Sequence, residues 1–149
     1  MCAQSSPAWI SLAPRPTGVS VGRCFARSKL TRYKDDDFAY SVELVVSELV
    51  TNAYRAVEAS KCRVQGVIRL GVHCTNRWVH VCVQDSAPKM PDPREASETD
   101  ESGRGLQIVE ALAVLWVHGR DLDKTVHALV TAPGVVLTQH DMDQLAVSL

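Results

Sequence analysis

An α+β fold is predicted by three observations. Phe38, Val42, Val45, Leu49, Ala53 and Val57 recur at spacings of three and four, the period of a helix that buries one face. Two alternating segments follow, with Ile68, Leu70 and Val72 in one and Val79, Val81 and Val83 in the other. With Asn76 and Arg77 as the turn between them, they read as an antiparallel hairpin. A glycine turn at Gly103-Arg104-Gly105 then opens another helix, and two more strands close the pattern.

The elements can be justified in order. Trp9 to Leu12 reads as a short strand stopped by Pro14 and Pro16. From Thr17 to Tyr33, Val19, Val21, Phe25, Ala26 and Leu30 leave Arg23, Arg27 and Lys29 to face water, the mark of an amphipathic helix. Asp35, Asp36 and Asp37 open the next helix, because acids at an N-terminus satisfy free N–H groups and complement the helix dipole. That helix is expected to end near Ser60. Residues 86–102 hold Pro88, Pro91 and Pro93 and little that is apolar beyond Met90, the composition of a long solvated loop or lid. The helix opened by Gly103-Arg104-Gly105 turns Leu106, Val109, Leu112 and Ala113 inward. Leu115 to His118 and Thr125 to Thr131 read as strands joined by a turn at Gly119 to Asp123. Val135 to Leu149 is weakly patterned.

The bulk numbers bound the function. The 149 residues suit one domain, with a core over about residues 9–132 and loose tails. A net charge of −1 gives no basic field for nucleic acid or an anionic membrane. The apolar run from Ala111 to Val117 is too short to span a bilayer, and the N-terminus does not read as a secretory signal, so the expected location is cytoplasmic. The five cysteines form no C-x-x-C pair and read as reduced thiols. A zinc site on His73 and Cys74 has no matching ligand spacing behind it. His73, His80, His118 and His127 fall in or beside strands and read as surface residues; Trp116 reads as core or partner contact.

Chemistry concentrates in the long helix. Glu48 and Asn52 lie one turn apart on one face, with Arg55 about a turn beyond. A carboxylate there can accept a proton, and an amide oxygen can join the oxygen shell of Mg²⁺. Asp85, in phase with Val79, Val81 and Val83, puts a carboxylate on a buried face, which needs a partner to be tolerated. Glycines at a helix start let backbone N–H groups approach phosphate oxygens. Taken singly, each has a plainer reading: a solvated helix pair, a turn before Pro88, loop punctuation.

Together, Ser47-Glu-Leu-Val-Thr-Asn52-Ala and Ser102-Gly-Arg-Gly-Leu106, with Asp85 between them, resemble the GHKL ATPase superfamily. The nearest likeness is to its bacterial branch of anti-sigma factor serine/threonine kinases. The resemblance implies a Bergerat-type two-layer α/β sandwich, its sheet mixed but largely antiparallel, with helices on one face and ATP between helices and lid. It implies Glu48 as general base, Asn52 as the Mg²⁺ ligand, and Asp85 as the acceptor of the adenine amino group. It further implies that Gly103, Arg104, Gly105 and Leu106 approach the phosphates, that Arg55 reaches a phosphate, and that Thr125 supports the adenine end. ATP and Mg²⁺ are the implied cofactors. The implied partners are a small anti-sigma antagonist, a sigma factor and a second copy of the chain, with no nucleic acid or membrane. The sequence departs from the pattern at Asp85-Ser-Ala-Pro-Lys89, which lacks glycine, at acidic Glu101, and at Asp123 in place of a glycine. Three functions stay open: a protein kinase, a module that senses ATP or ADP without transferring phosphate, and a degenerate domain that binds only protein.

Overall fold

The computed structural model describes residues 6–60, 66–85, 101–120 and 123–147. The expected lid falls almost wholly on residues 86–100, outside the described residues.

Strand β1 (Ala8–Leu12) leads into helix α1 (Pro16–Lys29). Proline fits the first turn of α1, where its missing N–H would have no intrahelical acceptor. Arg27 and Lys29 lie in its last turn, where cations complement the helix dipole. Helix α2 (Asp36–Ala59) starts as expected: Asp35 caps it by accepting the Phe38 N–H at 2.9 Å. Arg27 bridges the helices, donating to Asp36 and to Glu43 at 2.9 Å each. Tyr33, between the helices, donates its hydroxyl to the Thr75 carbonyl and pins this connection to the hairpin turn.

Strands β2 (Ile68–Cys74) and β3 (Trp78–Asp85) form the expected hairpin. Helix α3 (Glu101–Leu112), strand β4 (Val114–Arg120), strand β5 (Asp123–Thr131) and helix α4 (Gln139–Val147) follow. The order across the sheet is β1-β2-β3-β5-β4, and every described pairing is antiparallel. Gly119 and Asp123, expected in a turn, belong to strands: β4 runs through Gly119 to Arg120 and β5 begins at Asp123.

Helices α1, α2 and α3 cover one face of the sheet. Their core unites Ala26, Val42, Val45, Val46, Leu49, Val50 and Val109 with Ile68, Leu70, Val79, Val81, Val83 and Ala128. Alternation sends Trp78, His80, Cys82, His127 and Leu129 to the other face. There the expectation of surface histidines fails: His73, His80 and His127 are all buried. Part of the cover comes from α4, whose Leu145 packs with Trp78 and Leu129. Trp116 adds more, stacking on His127 at 5.1 Å between centroids. Burial keeps His80 uncharged, its pKa lowered from 6.5 to about 4. His73 and Cys74, being consecutive in a strand, point to opposite faces and cannot share a cation: Cys74 joins the helix-side core while His73 packs edge-on to Trp78.

Helix α4 was not anticipated, since the apolar residues of its segment are sparse. It is fixed by one carboxylate. Asp141 accepts from Arg77 Nε at 2.9 Å, Trp78 Nε1 at 3.2 Å, the Thr138 N–H at 2.7 Å and the Thr138 hydroxyl at 2.8 Å. Arg77, then Thr138, hold its carboxyl well below the usual carboxylate range.

Candidate functional site

The long apolar stripe of α2 is what aims the polar pair. Val45, Val46, Leu49, Val50 and Ala53 are buried, which holds the helix in one rotation about its axis. Glu48 and Asn52 are then part-buried at the edge of that stripe, and Arg55 is exposed one turn on. Asn52 Nδ2 is buried with no hydrogen-bond partner among the described residues. Buried amides are nearly always satisfied, so an orphaned one marks a place where another group belongs. Rotation of the amide exchanges its N–H₂ and carbonyl ends, so either can be offered to a ligand.

Glu48 meets α3. A methyl group built on Gly105 would collide with Glu48 Oε2 and lie 3.2 Å from Cδ. Glycine is therefore required for the carboxylate to lie against the backbone of α3. Sequence spacing suggested a helix beginning at Gly103; the helix begins at Glu101. Gly103 thus falls in the first turn, among the N–H groups that lack intrahelical acceptors. Gly105 lies further in, where the helical pattern supplies an acceptor for its N–H, and its missing side chain serves Glu48. Leu106 is buried beside it and Arg104 is exposed. The structure brings Glu48 and Gly105 into contact and leaves Arg104 and Arg55 at the surface.

Asp85 closes β3 on the helix side, only 2% exposed. Its cross-strand neighbour is Lys124, also buried, with Nζ 3.5 Å from Asp85 Oδ2. Attraction at that distance offsets part of the cost of taking both charges out of water. Thr125 requires a correction. Its neighbours across the ladder are Gln84 and His118, and the next residue, Val126, belongs to the helix-side core. Alternation therefore sends Thr125 to the face opposite Asp85, and Lys124 takes the place assigned to it. The signal was present in the sequence: Val126, Ala128 and Val130 share the inward phase, and counting back two from Val126 reaches Lys124.

A profile of the histidine kinase-like ATPase domain matches residues 13–126. The chain belongs to that family. The match begins just after β1 and ends inside β5, so it contains Glu48, Asn52, Asp85, Gly105 and Lys124 and excludes α4. No curated protein matches the chain. Membership makes this an ATP-binding domain of the GHKL type. The observed architecture agrees: an α+β sandwich with an open antiparallel sheet of five strands and the α2–α3 pair over one face. No helix among the described residues is long and apolar enough to cross a membrane.

Proposed function

We propose that this histidine kinase-like ATPase domain is a Mg²⁺-ATP-dependent protein serine/threonine kinase of the anti-sigma type, acting on a small antagonist protein. The observation that carries the proposal is the α2–α3 junction. There a carboxylate, Glu48, rests against α3 at Gly105, just past its first turn, and an unsatisfied buried amide, Asn52, lies one turn away on α2. The donor set fits the cofactor: a side-chain amide oxygen suits a hard cation, and the first-turn N–H groups of α3 suit phosphate oxygens. Mg²⁺ bound there would neutralise phosphate charge. Asn52 would hold that ion, Gly103 and the first turn of α3 would hold phosphate, and Arg55 and Arg104 would lie within reach of the nucleotide's charged end. Asp85 would accept from the purine amino group once it shares its oxygens with Lys124. Glu48 would orient the acceptor hydroxyl of the partner protein and take its proton. Positioning and charge neutralisation supply most of the acceleration in phosphoryl transfer.

The Asp85–Lys124 pair favours a second reading. A carboxylate already engaged by a buried lysine binds the purine less strongly. That suits a module that senses ATP or ADP and alters partner affinity without transfer. Calorimetric titration of ATP with and without Mg²⁺ tests the shared part. Wild type should bind, and Asn52→Ala should lose about tenfold in the Mg²⁺-dependent component, an amount equal to one good hydrogen bond to a charged group. Absence of binding by wild type would remove both readings. Labelled ATP incubated with candidate antagonist proteins separates them: transfer that Glu48→Gln abolishes establishes the kinase, and binding without transfer establishes the sensor.

A further inference from the structure

The reverse face of the sheet holds three metal-type donors side by side on two adjacent strands. Cys82 and His127 are direct cross-strand neighbours on β3 and β5, and His80 lies two residues before Cys82 on the same face. All three are buried, and one donor atom from each lies within 4.8 Å of the other two. His80 Nε2 and His127 Nδ1 are 3.0 Å apart. A single proton can be shared along that line, and His80 Nδ1 then remains buried with no partner among the described residues. An imidazole nitrogen sealed in this way is costly unless another group completes it.

The surroundings hold the trio in place. Trp116 stacks on His127 and lies parallel to His80, with centroids 5.5 Å apart. On the other side, Gly71 faces Cys82 across the β2–β3 ladder. A side chain at Gly71 would come within 2.6 Å of Cys82 Sγ, so the bare backbone there leaves room for the sulfur. Ligands on two central strands, flanked by an indole and a glycine, are held by sheet geometry and not by a loop.

We infer that His80, Cys82 and His127 form a binding site for a thiophilic d10 cation, Zn²⁺ or Cu⁺. Two imidazoles and a thiolate are a donor set that both ions accept, and neither needs a carboxylate. Binding would form one metal–sulfur and two metal–nitrogen bonds and release the Cys82 thiol proton to solvent, with no change in oxidation state. The site lies on the side of the sheet opposite Glu48 and Asn52. It would fasten β3 to β5, the strands that end in Asp85 and begin before Lys124. It is independent of the nucleotide reading.

The test uses the full chain, reduced and stripped with a chelator under anaerobic conditions. One portion is titrated with Zn²⁺, with Co²⁺ as its spectroscopic stand-in, and a second with Cu⁺. The expected result is one equivalent of one of these ions, a thiolate-to-metal charge-transfer band with Co²⁺ or Cu⁺, and a raised thermal midpoint. Cys82→Ser, which is nearly isosteric, should remove the band and weaken binding by about 100-fold or more, since even changes to groups that merely support metal ligands cost about 10- to 100-fold. His127→Gln should weaken binding comparably, and Cys24→Ser, at an exposed position, should change nothing. Whichever ion binds identifies the cation. Equal uptake by wild type and folded Cys82→Ser, or no uptake of either ion by folded wild type, would overturn the inference.

Discussion

The two faces of the sheet are both buried and both carry polar groups, yet they handle them differently. On the helix side, polar groups gather at the rim: Glu48 against Gly105, Asn52 with an unsatisfied amide, and Asp85 against Lys124 at the strand end. The centre of that face is largely aliphatic. On the reverse side, polar groups sit in the centre, as His80, Cys82 and His127, and at one margin, where Asp141 gathers five donors. The difference separates two uses of a buried polar atom. At a rim it can meet a ligand that arrives from solvent. In the middle of a sheet it acts on the strands themselves.

The contrast predicts that helix-side substitutions change ligand response with little change in stability, and that reverse-side substitutions do the opposite. The largest effect is expected at Glu48. Glu48→Gln should lower phosphoryl transfer by about 100- to 10,000-fold, the usual contribution of a positioned general base, while ATP binding and thermal midpoint stay close to wild type. Lost ATP binding or a large fall in midpoint would erase the distinction between the faces.

Next comes the pH dependence of metal-free protein. The folded-state pKa of His80 is depressed from 6.5 to about 4. Between those values the unfolded chain binds a proton that the folded chain refuses, so stability falls as pH falls through that window and the penalty is complete below it. The full shift corresponds to about 3 kcal/mol. Denaturant unfolding at stepped pH should show that slope in wild type and a clearly shallower one in His80→Gln.

Asp141→Asn should cost about 2 kcal/mol at neutral pH, given a buried acceptor whose arginine partner is half exposed. Because the Asp141 carboxyl titrates below its usual range, its contribution is present above about pH 4 and is lost as pH drops further. The midpoints of wild type and Asp141→Asn should therefore converge in acid. The smallest effect is expected at Lys124. Lys124→Met should remove the lysine's hold on Asp85 and tighten ATP binding by a few-fold, with isothermal titration as the readout; weaker binding would mean that the lysine itself assists the nucleotide.

Much of the helix side was legible in the sequence because it obeys periodicity. The stripe from Phe38 to Val57 and the alternation from Val79 to Val83 each name a buried face, and the polar exceptions, Glu48, Asn52 and Asp85, stand out against them. What periodicity could not supply was phase between strands. The motif points to Thr125, and only the β3–β5 register shows that Lys124 faces Asp85. The reverse side was illegible for a different reason. His80, Cys82 and His127 occupy positions that alternation assigns to solvent. Their cover includes Trp116 from β4, and the neighbouring Trp78 and Leu129 are covered by α4, whose attachment rests on one aspartate meeting an arginine and a tryptophan more than sixty residues earlier in the chain. No local pattern announces a contact of that kind.

The placement of the tryptophans has an optical consequence. Trp9 faces Gly71, Trp78 is sealed under α4 and Trp116 stacks on His127, so all three of the chain's indoles lie on the reverse face. None shares the α2–α3 junction. The protein's own ultraviolet emission therefore watches the side away from the nucleotide. A change in that emission when ATP is added would report a disturbance carried through the thickness of the sheet, and a flat trace during saturable calorimetric binding would show that the two faces do not communicate.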